Sequence, residues 1–81
     1  MNKEKLINEL EKVTGLDNEQ CVIINSILED HFLIGKNNKR KIISDIENKL
    51  NFTDTEAEKI YESAMSIIGS EIKNKLKHPK N

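Results

Sequence analysis

Apolar residues recur along this chain at intervals of three and four, the spacing that places side chains on one face of an α-helix. The first such series is Leu6, Ile7, Leu10 and Val13, and three further series follow it. The four series predict helices over residues 3–14, 18–33, 39–50 and 54–77. We therefore expect an all-α protein.

The second and fourth predicted helices carry the broader apolar faces. In the second helix, one side is formed by Cys21, Ile24, Ile27, Leu28 and Phe32. In the fourth, a continuous stripe is formed by Ala57, Ile60, Tyr61, Ala64, Ile67, Ile68, Ile72 and Leu76. Gly69 falls inside this stripe, where a glycine weakens a helix, and we expect it to mark either a bend or a close contact between helices.

The second half of the chain repeats the first at an interval of 36 residues. The identical pairs at this interval are Asn2/Asn38, Lys3/Lys39, Lys5/Lys41, Ile7/Ile43, Glu11/Glu47 and Ile24/Ile60. A fixed interval of similarity indicates a repeated structural unit. The expected architecture is thus two tandem helical hairpins, which form a small orthogonal or bundle-like domain.

The signals that end one helix and start the next recur at the same interval, and they support the repeat more strongly than the identities do. Gly15 and Asn51 stand where the end of a helix requires a left-handed residue. Leu16 and Phe52 follow them as the apolar residues that precede a capping box. The capping boxes themselves are Asp17-x-x-Gln20 and Thr53-x-x-Glu56.

Length and composition limit how the chain can be stabilised. A chain of 81 residues buries only a little over ~60% of the surface exposed by its unfolded form. Cys21 is the single cysteine, which excludes a disulfide within the chain, and no Cys/His cluster predicts a structural zinc site. The remaining source of stability is the packing of helices against one another, with self-association of the chain as a further source. We expect one domain over residues 1–81, with hairpins over about 3–34 and 38–77 and a basic tail over 78–81.

Neither a membrane segment nor a secretion signal is indicated by the sequence. The longest apolar runs, such as residues 21–24, are far too short to span a bilayer. The charged residues 1–5 lead into no signal-peptide core. A lone thiol is compatible with a reducing compartment, so a cytoplasmic location without a membrane partner is predicted.

The net charge of −1 argues against a general nucleic-acid binder, but the charge is distributed unevenly. Residues 1–35 hold three lysines and seven acidic residues, a net charge of −4. Residues 36–41 carry +4, residues 42–72 carry −5, and residues 73–81 carry +4. Each acidic hairpin is therefore followed by a short basic segment.

No residues form a recognisable catalytic, cofactor-binding or metal-binding constellation. His31 and His78 have no nucleophile or carboxylate at a fixed spacing, and a structural role is predicted for His31 near the end of the second helix. Cys21 is predicted to be a buried packing thiol. The acidic residues are expected on solvent faces, some with a lysine four positions on, as in Asp45–Lys49 and Glu71–Lys75.

The basic segment between the hairpins is the candidate site for an anionic partner, either a nucleic acid or an acidic protein. Its cations are Lys36, Lys39, Arg40 and Lys41. They precede or enter the third helix, whose free N–H groups can hold a phosphate and which Asn38 is expected to cap. Four cations supply only a modest electrostatic attraction, and no aromatic residue is interleaved to stack on bases.

The amino-terminal third resembles the opening helical hairpin of the HU/IHF histone-like DNA-binding proteins. The resemblance is carried by Met1-Asn2-Lys3, Leu6-Ile7 and Thr14-Gly15-Leu16, and it covers about the first thirty residues. In that family the hairpin forms the body of an intertwined dimer, and β-ribbon arms grip DNA. This chain has a second hairpin where the arms would be, so no DNA-contacting residue is carried over. The whole chain also resembles small uncharacterised bacterial proteins of two helical hairpins, which implies no activity.

These observations favour a non-enzymatic protein-interaction module, which is either a homodimer or a binder of another protein and needs no cofactor. It would bind through an apolar groove or through its basic linker. The alternative is a nucleic-acid-associated regulator resembling histone-like proteins, whose binding to duplex DNA would weaken with salt and on Lys39→Glu/Arg40→Glu. An enzymatic role would require a pocket that the sequence does not indicate.

Overall fold

The protein consists of four helices joined by short connections. The computed structural model describes residues 3–33 and 38–77, with side chains described for residues 3–32 and 38–71. The helices are α1 (Lys3–Thr14), α2 (Asn18–Leu33), α3 (Lys39–Leu50) and α4 (Asp54–Lys77). The described residues contain no strand. The all-α prediction and the predicted helix bounds are confirmed.

Each helix packs against two of the other three. Helix α1 packs against α2 and α4, and α3 packs against the same two helices. Within the described ranges, α1 does not contact α3 and α2 does not contact α4. The arrangement is therefore a ring of four helices, the bundle-like form of the predicted fold. Exchanging the two hairpins leaves this pattern of contacts unchanged, as a structural repeat requires.

The predicted signals between α1 and α2 adopt the expected geometry. Gly15 has a φ of +75°, in the left-handed region, and its N–H donates to the carbonyl oxygen of Glu11 at 3.0 Å. The N–H of Gln20 donates to Oδ1 of Asp17 at 2.8 Å. In return, the N–H of Asp17 donates to Oε1 of Gln20 at 3.2 Å. This reciprocal pair satisfies donors that the first turn of a helix leaves free.

The second hairpin forms the same turn with different residues. Asn51 has a φ of 59°. The N–H of Glu56 donates to Oγ1 of Thr53 at 3.2 Å, and the N–H of Thr53 donates to Oε1 of Glu56 at 3.0 Å. Asn38 caps α3 by accepting from the N–H of Lys41 at 3.2 Å. All of the caps predicted for the described residues are therefore confirmed.

The core is formed by one face of each helix. Its buried apolar side chains are Leu6, Ile7, Leu10, Cys21, Ile24, Ile27, Leu28, Ile42, Ile43, Ile46, Ala57, Ile60 and Ala64. Burial of Cys21 confirms its predicted packing role. Two residues of the predicted apolar faces lie largely outside the core, because Val13 is 57% exposed and Phe32 is 39% exposed. Among the described residues, a Cβ added at Gly69 would meet nothing within 4 Å, so of the two expected alternatives, a bend or a close helix contact, the close contact is not found.

Two polar side chains, Asn25 and His31, are also buried. His31 is 9% exposed, and its Nε2 lies 2.8 Å from Oδ2 of Asp45, which joins α2 to α3. The sequence indicated no carboxylate for this histidine, because the two residues meet only after the hairpins pack. The sequence predicted that Asp45 pairs with Lys49 of its own helix, whereas the structure shows it in contact with His31 of α2. Among the described residues, Nδ2 of Asn25 has no hydrogen-bond partner.

An ion pair joins α1 to α4, on the side of the ring opposite the contact between α2 and α3. Nζ of Lys5 lies 2.8 Å from Oε2 of Glu71, and this ion pair raises the pKa of Lys5. Lys75, the partner expected for Glu71, has a side chain outside the described set. None of the described helices is both long and apolar enough to cross a membrane.

Candidate interaction site

The basic segment proposed from the sequence is only partly available for a partner. Lys36 lies outside the described residues. Nη2 of Arg40 donates to Oδ1 of Asp54 at 3.1 Å, so that its guanidinium links α3 to the start of α4. Lys41 is exposed, and its backbone N–H is engaged by the cap of α3. Binding of an anionic partner by these residues remains a prediction.

Lys39 also faces α4. Its Nζ lies 3.7 Å from Oε2 of Glu58 and 5.8 Å from the centre of the Tyr61 ring. An ammonium at this distance is attracted by the negative face of the ring. Lys39 and Arg40 are therefore part of the α3–α4 contact, and an external anion would have to compete with the acidic residues of α4.

Arg40 also belongs to a small carboxylate cluster. A hydrogen bond with Asp54 raises the pKa of Glu47, with burial and repulsion from Asp54 as weaker causes. The same hydrogen bond, together with the Arg40 guanidinium, lowers the pKa of Asp54. At the equivalent place in the first hairpin, Nδ2 of Asn18 donates to Oε2 of Glu11 at 2.8 Å. In the first hairpin an amide therefore takes the place of one of the two carboxylates.

Asp54→Asn is expected to make stability less dependent on pH between about pH 4 and pH 7. Glu47 has a raised pKa, so its stabilising contribution is present at low pH and is lost as the pH rises through its folded pKa. Asp54 has a lowered pKa, so its contribution is lost only as the pH falls through its folded pKa. The pair is thus most favourable in acid, where it holds one proton. Asparagine can donate to an ionised Glu47, and urea midpoints measured across this range would report the change.

The reciprocal substitution provides the control for that experiment. Asn18→Asp places two carboxylates in the first hairpin, next to Glu11, and is expected to add a dependence of the same sign. The idea is contradicted if Asp54→Asn retains the pH profile of the unmodified chain.

A concave surface lies along the α1–α4 seam, the line on which these two helices pack. Two cavities, of about 330 Å³ and 390 Å³, open there, and they share Val13, Lys59 and Ser63 as lining residues. They therefore form one groove, which we call the α1–α4 groove. The apolar side chains that line it are Val13, Leu16, Phe52, Ile60 and Ile67.

The groove has the length of a short helix. It follows α4 from Phe52, just before the helix begins, to Ile67. Fifteen residues at the helical rise correspond to roughly 22 Å. Its polar lining, from one end to the other, comprises Thr14, Glu56, Lys59, Glu62, Ser63 and Ser66. An apolar strip edged by charges is typical of a surface that binds an amphipathic segment.

The two repeats differ at two of the positions that line the groove. Ser63 occupies the position equivalent to Ile27, which is 2% exposed and fills the core of the first hairpin. Val13 occupies the position equivalent to Lys49, an exposed residue of α3. At the groove, the small Ser63 thus stands where the other seam has the larger Ile27, and the apolar Val13 stands where it has the charged Lys49. The same offset that revealed the repeat could therefore have indicated the groove.

The opposite seam, between α2 and α3, contains different residues at the equivalent positions. His31 and Asp45 make their contact there, and the residues at equivalent positions of the α1–α4 seam are Ile67 and Glu9. Ile67 cannot form such a hydrogen bond, and it lines the groove instead. Both seams therefore contain a polar contact, His31–Asp45 between α2 and α3 and Lys5–Glu71 between α1 and α4.

Among the described side chains, no three His, Cys, Asp or Glu residues are grouped to hold a metal ion. Cys21 is buried, and burial raises the pKa of its thiol, which disfavours the nucleophilic thiolate form. Comparison of the chain with protein-family models, with curated proteins and with solved structures gave no match.

Proposed function

We propose that this chain is a non-enzymatic protein-interaction module that binds its partner in the α1–α4 groove. The observation that carries the proposal is the exposure of Val13. Its position in α1 belongs to the core-facing series, yet 57% of the residue is exposed and it lines both cavities. An apolar side chain that is exposed next to other apolar side chains favours association with another apolar surface.

The shape and lining of the groove support a helical ligand. Leu16, Phe52 and Ile60 offer an apolar surface at one end, and Ile67 extends it toward the other. A partner helix would place residues at intervals of three or four against this strip. The charged residues at its edges would then select the orientation and identity of the partner.

Site-specific photocrosslinking in cells tests the proposal. A photoreactive residue at Ser66, which is exposed and lines the groove, is expected to capture a protein. The matched control is Ser26, an exposed serine of α2 that lies outside the groove. Equal capture from both positions, or capture from neither, would refute the proposal.

Substitutions borrowed from the other repeat make the test specific to the groove. Val13→Lys and Ser63→Ile introduce the residue types that the fold already accommodates at positions 49 and 27. Each is expected to reduce capture from position 66 by about tenfold while the far-ultraviolet circular dichroism spectrum remains helical. Retained capture in both variants would show that the groove is not the binding surface.

A further inference from the structure

We infer that the partner in the α1–α4 groove is a second copy of this chain, related to the first by a twofold axis. The two α4 helices would then lie antiparallel across the axis, each along the groove of the other copy. This inference rests on the proposed function and adds the identity of the partner. It follows from the order of charges along α4 and from the residues between them.

Three charged residues line the groove: Glu56, Lys59 and Glu62. The carboxylate of Glu56 is engaged in the capping box with Thr53, and the other two charges are complementary across a twofold axis. Lys59 and Glu62 are both exposed and both line the groove. No ion pair recorded among the described residues uses either of them. When two copies of α4 run antiparallel with the axis between these positions, Lys59 of each copy faces Glu62 of the other. A twofold contact thus forms two opposite-charge pairs from one pair of residues.

The side chains around these charges permit such a contact. Ser63 and Ser66 are small and lie on the groove side of α4, so a second helix can approach closely without displacing a large side chain. Val13, from the neighbouring helix α1, borders the same part of the groove. Association would remove its exposed apolar surface from water in both copies, which favours binding.

The alternatives match the charges less well. An acidic helix would pair with Lys59 but would repel Glu62, and a basic helix would do the reverse. An uncharged helix would leave both groups without a partner. A second copy provides both complementary charges at the spacing already present in α4.

Sedimentation equilibrium with charge reversal tests the inference. The full chain, from micromolar to about 1 mM, is expected to show a concentration-dependent monomer–dimer equilibrium. Lys59→Glu and Glu62→Lys are each expected to raise the dimer dissociation constant by about tenfold or more, because each replaces two attractions with two repulsions. The double variant Lys59→Glu/Glu62→Lys restores both pairs in reversed polarity, and it should return the constant to within about threefold of the original.

The control variant is Glu29→Lys, which makes the same charge change on an exposed position of α2. It is expected to alter the dissociation constant by less than about twofold, since Glu29 does not line the groove and its charge is screened by salt. All four variants change exposed residues, so circular dichroism and melting temperature should stay close to those of the unmodified chain.

The outcomes separate this inference from the proposed function. A chain that stays monomeric to about 1 mM, or a double variant as weak as the single ones, overturns the inference. If such a monomer is still crosslinked from position 66 to a different protein, the proposed function stands and only the identity of the partner was wrong. Crosslinking from position 66 to a second copy, together with recovery in the double variant, supports both.

Discussion

Replacing Leu10 with alanine is expected to lower the free energy of unfolding by about 2–5 kcal/mol. Leu10 is completely buried in α1, and the substitution removes apolar contacts and leaves a cavity that the surrounding helices fill only in part. A domain of this size has a total stability of about 4–12 kcal/mol. Urea denaturation followed by circular dichroism, at low micromolar concentration so that association contributes little, measures the loss.

Val13→Ala is the matched control for this experiment. The two residues are in the same helix and belong to the same apolar series, but Val13 is mostly exposed. Its replacement is expected to change the stability by no more than about 0.5 kcal/mol. If the two variants lose comparable free energy of unfolding, Val13 is buried like Leu10, and its description as a groove residue is contradicted.

Asp45→Ala is expected to destabilise the protein by about 1–3 kcal/mol. The buried His31 would lose its hydrogen-bond partner at 2.8 Å, and a buried polar group without a partner bears the full cost of its removal from water. Thermal or urea unfolding at pH 7 measures the effect. Hydrogen-exchange rates would locate the weakened region at the contact between α2 and α3.

Two variants distinguish the lost hydrogen bond from a general effect of the substitution. Asp45→Asn keeps an acceptor oxygen and is expected to recover more than half of the stability lost in Asp45→Ala. Glu9→Ala changes the equivalent carboxylate of the first repeat, whose ion pair with Lys12 is long, at 3.9 Å, and exposed. This substitution should lower the free energy of unfolding by about 0.5 kcal/mol or less. If Asp45→Asn is as unstable as Asp45→Ala, the contact with His31 does not stabilise the fold as described.

The local structure could be predicted because its causes lie within a few residues. The left-handed residues Gly15 and Asn51 and the capping box at Thr53 and Glu56 involve neighbours in the chain, and their geometry agrees with the sequence signals. Helical periodicity then gave the correct bounds of α1 to α4. These features do not depend on how the hairpins pack.

The contacts between hairpins could not be predicted in the same way. Helical periodicity places Val13 on a face, but the width of the buried part of that face depends on where α4 lies. His31 and Asp45 are fourteen residues apart, and no local rule brings them together. The basic segment is a second case, because no local rule pairs Lys39 with Glu58 or Arg40 with Asp54.

The ring of two equivalent hairpins has a consequence for how stability and recognition can change independently. In an assembly of two identical hairpins on separate chains, every substitution would appear at both seams, so a residue that opened one would open the other. Here the two seams are formed by different residues of one chain, which can be substituted separately. Ile27 and the His31–Asp45 contact can pack one seam while Ser63 and Val13 line a groove at the other. Covalent linkage therefore allows a small, thinly cored protein to acquire a binding surface without weakening both of its interfaces.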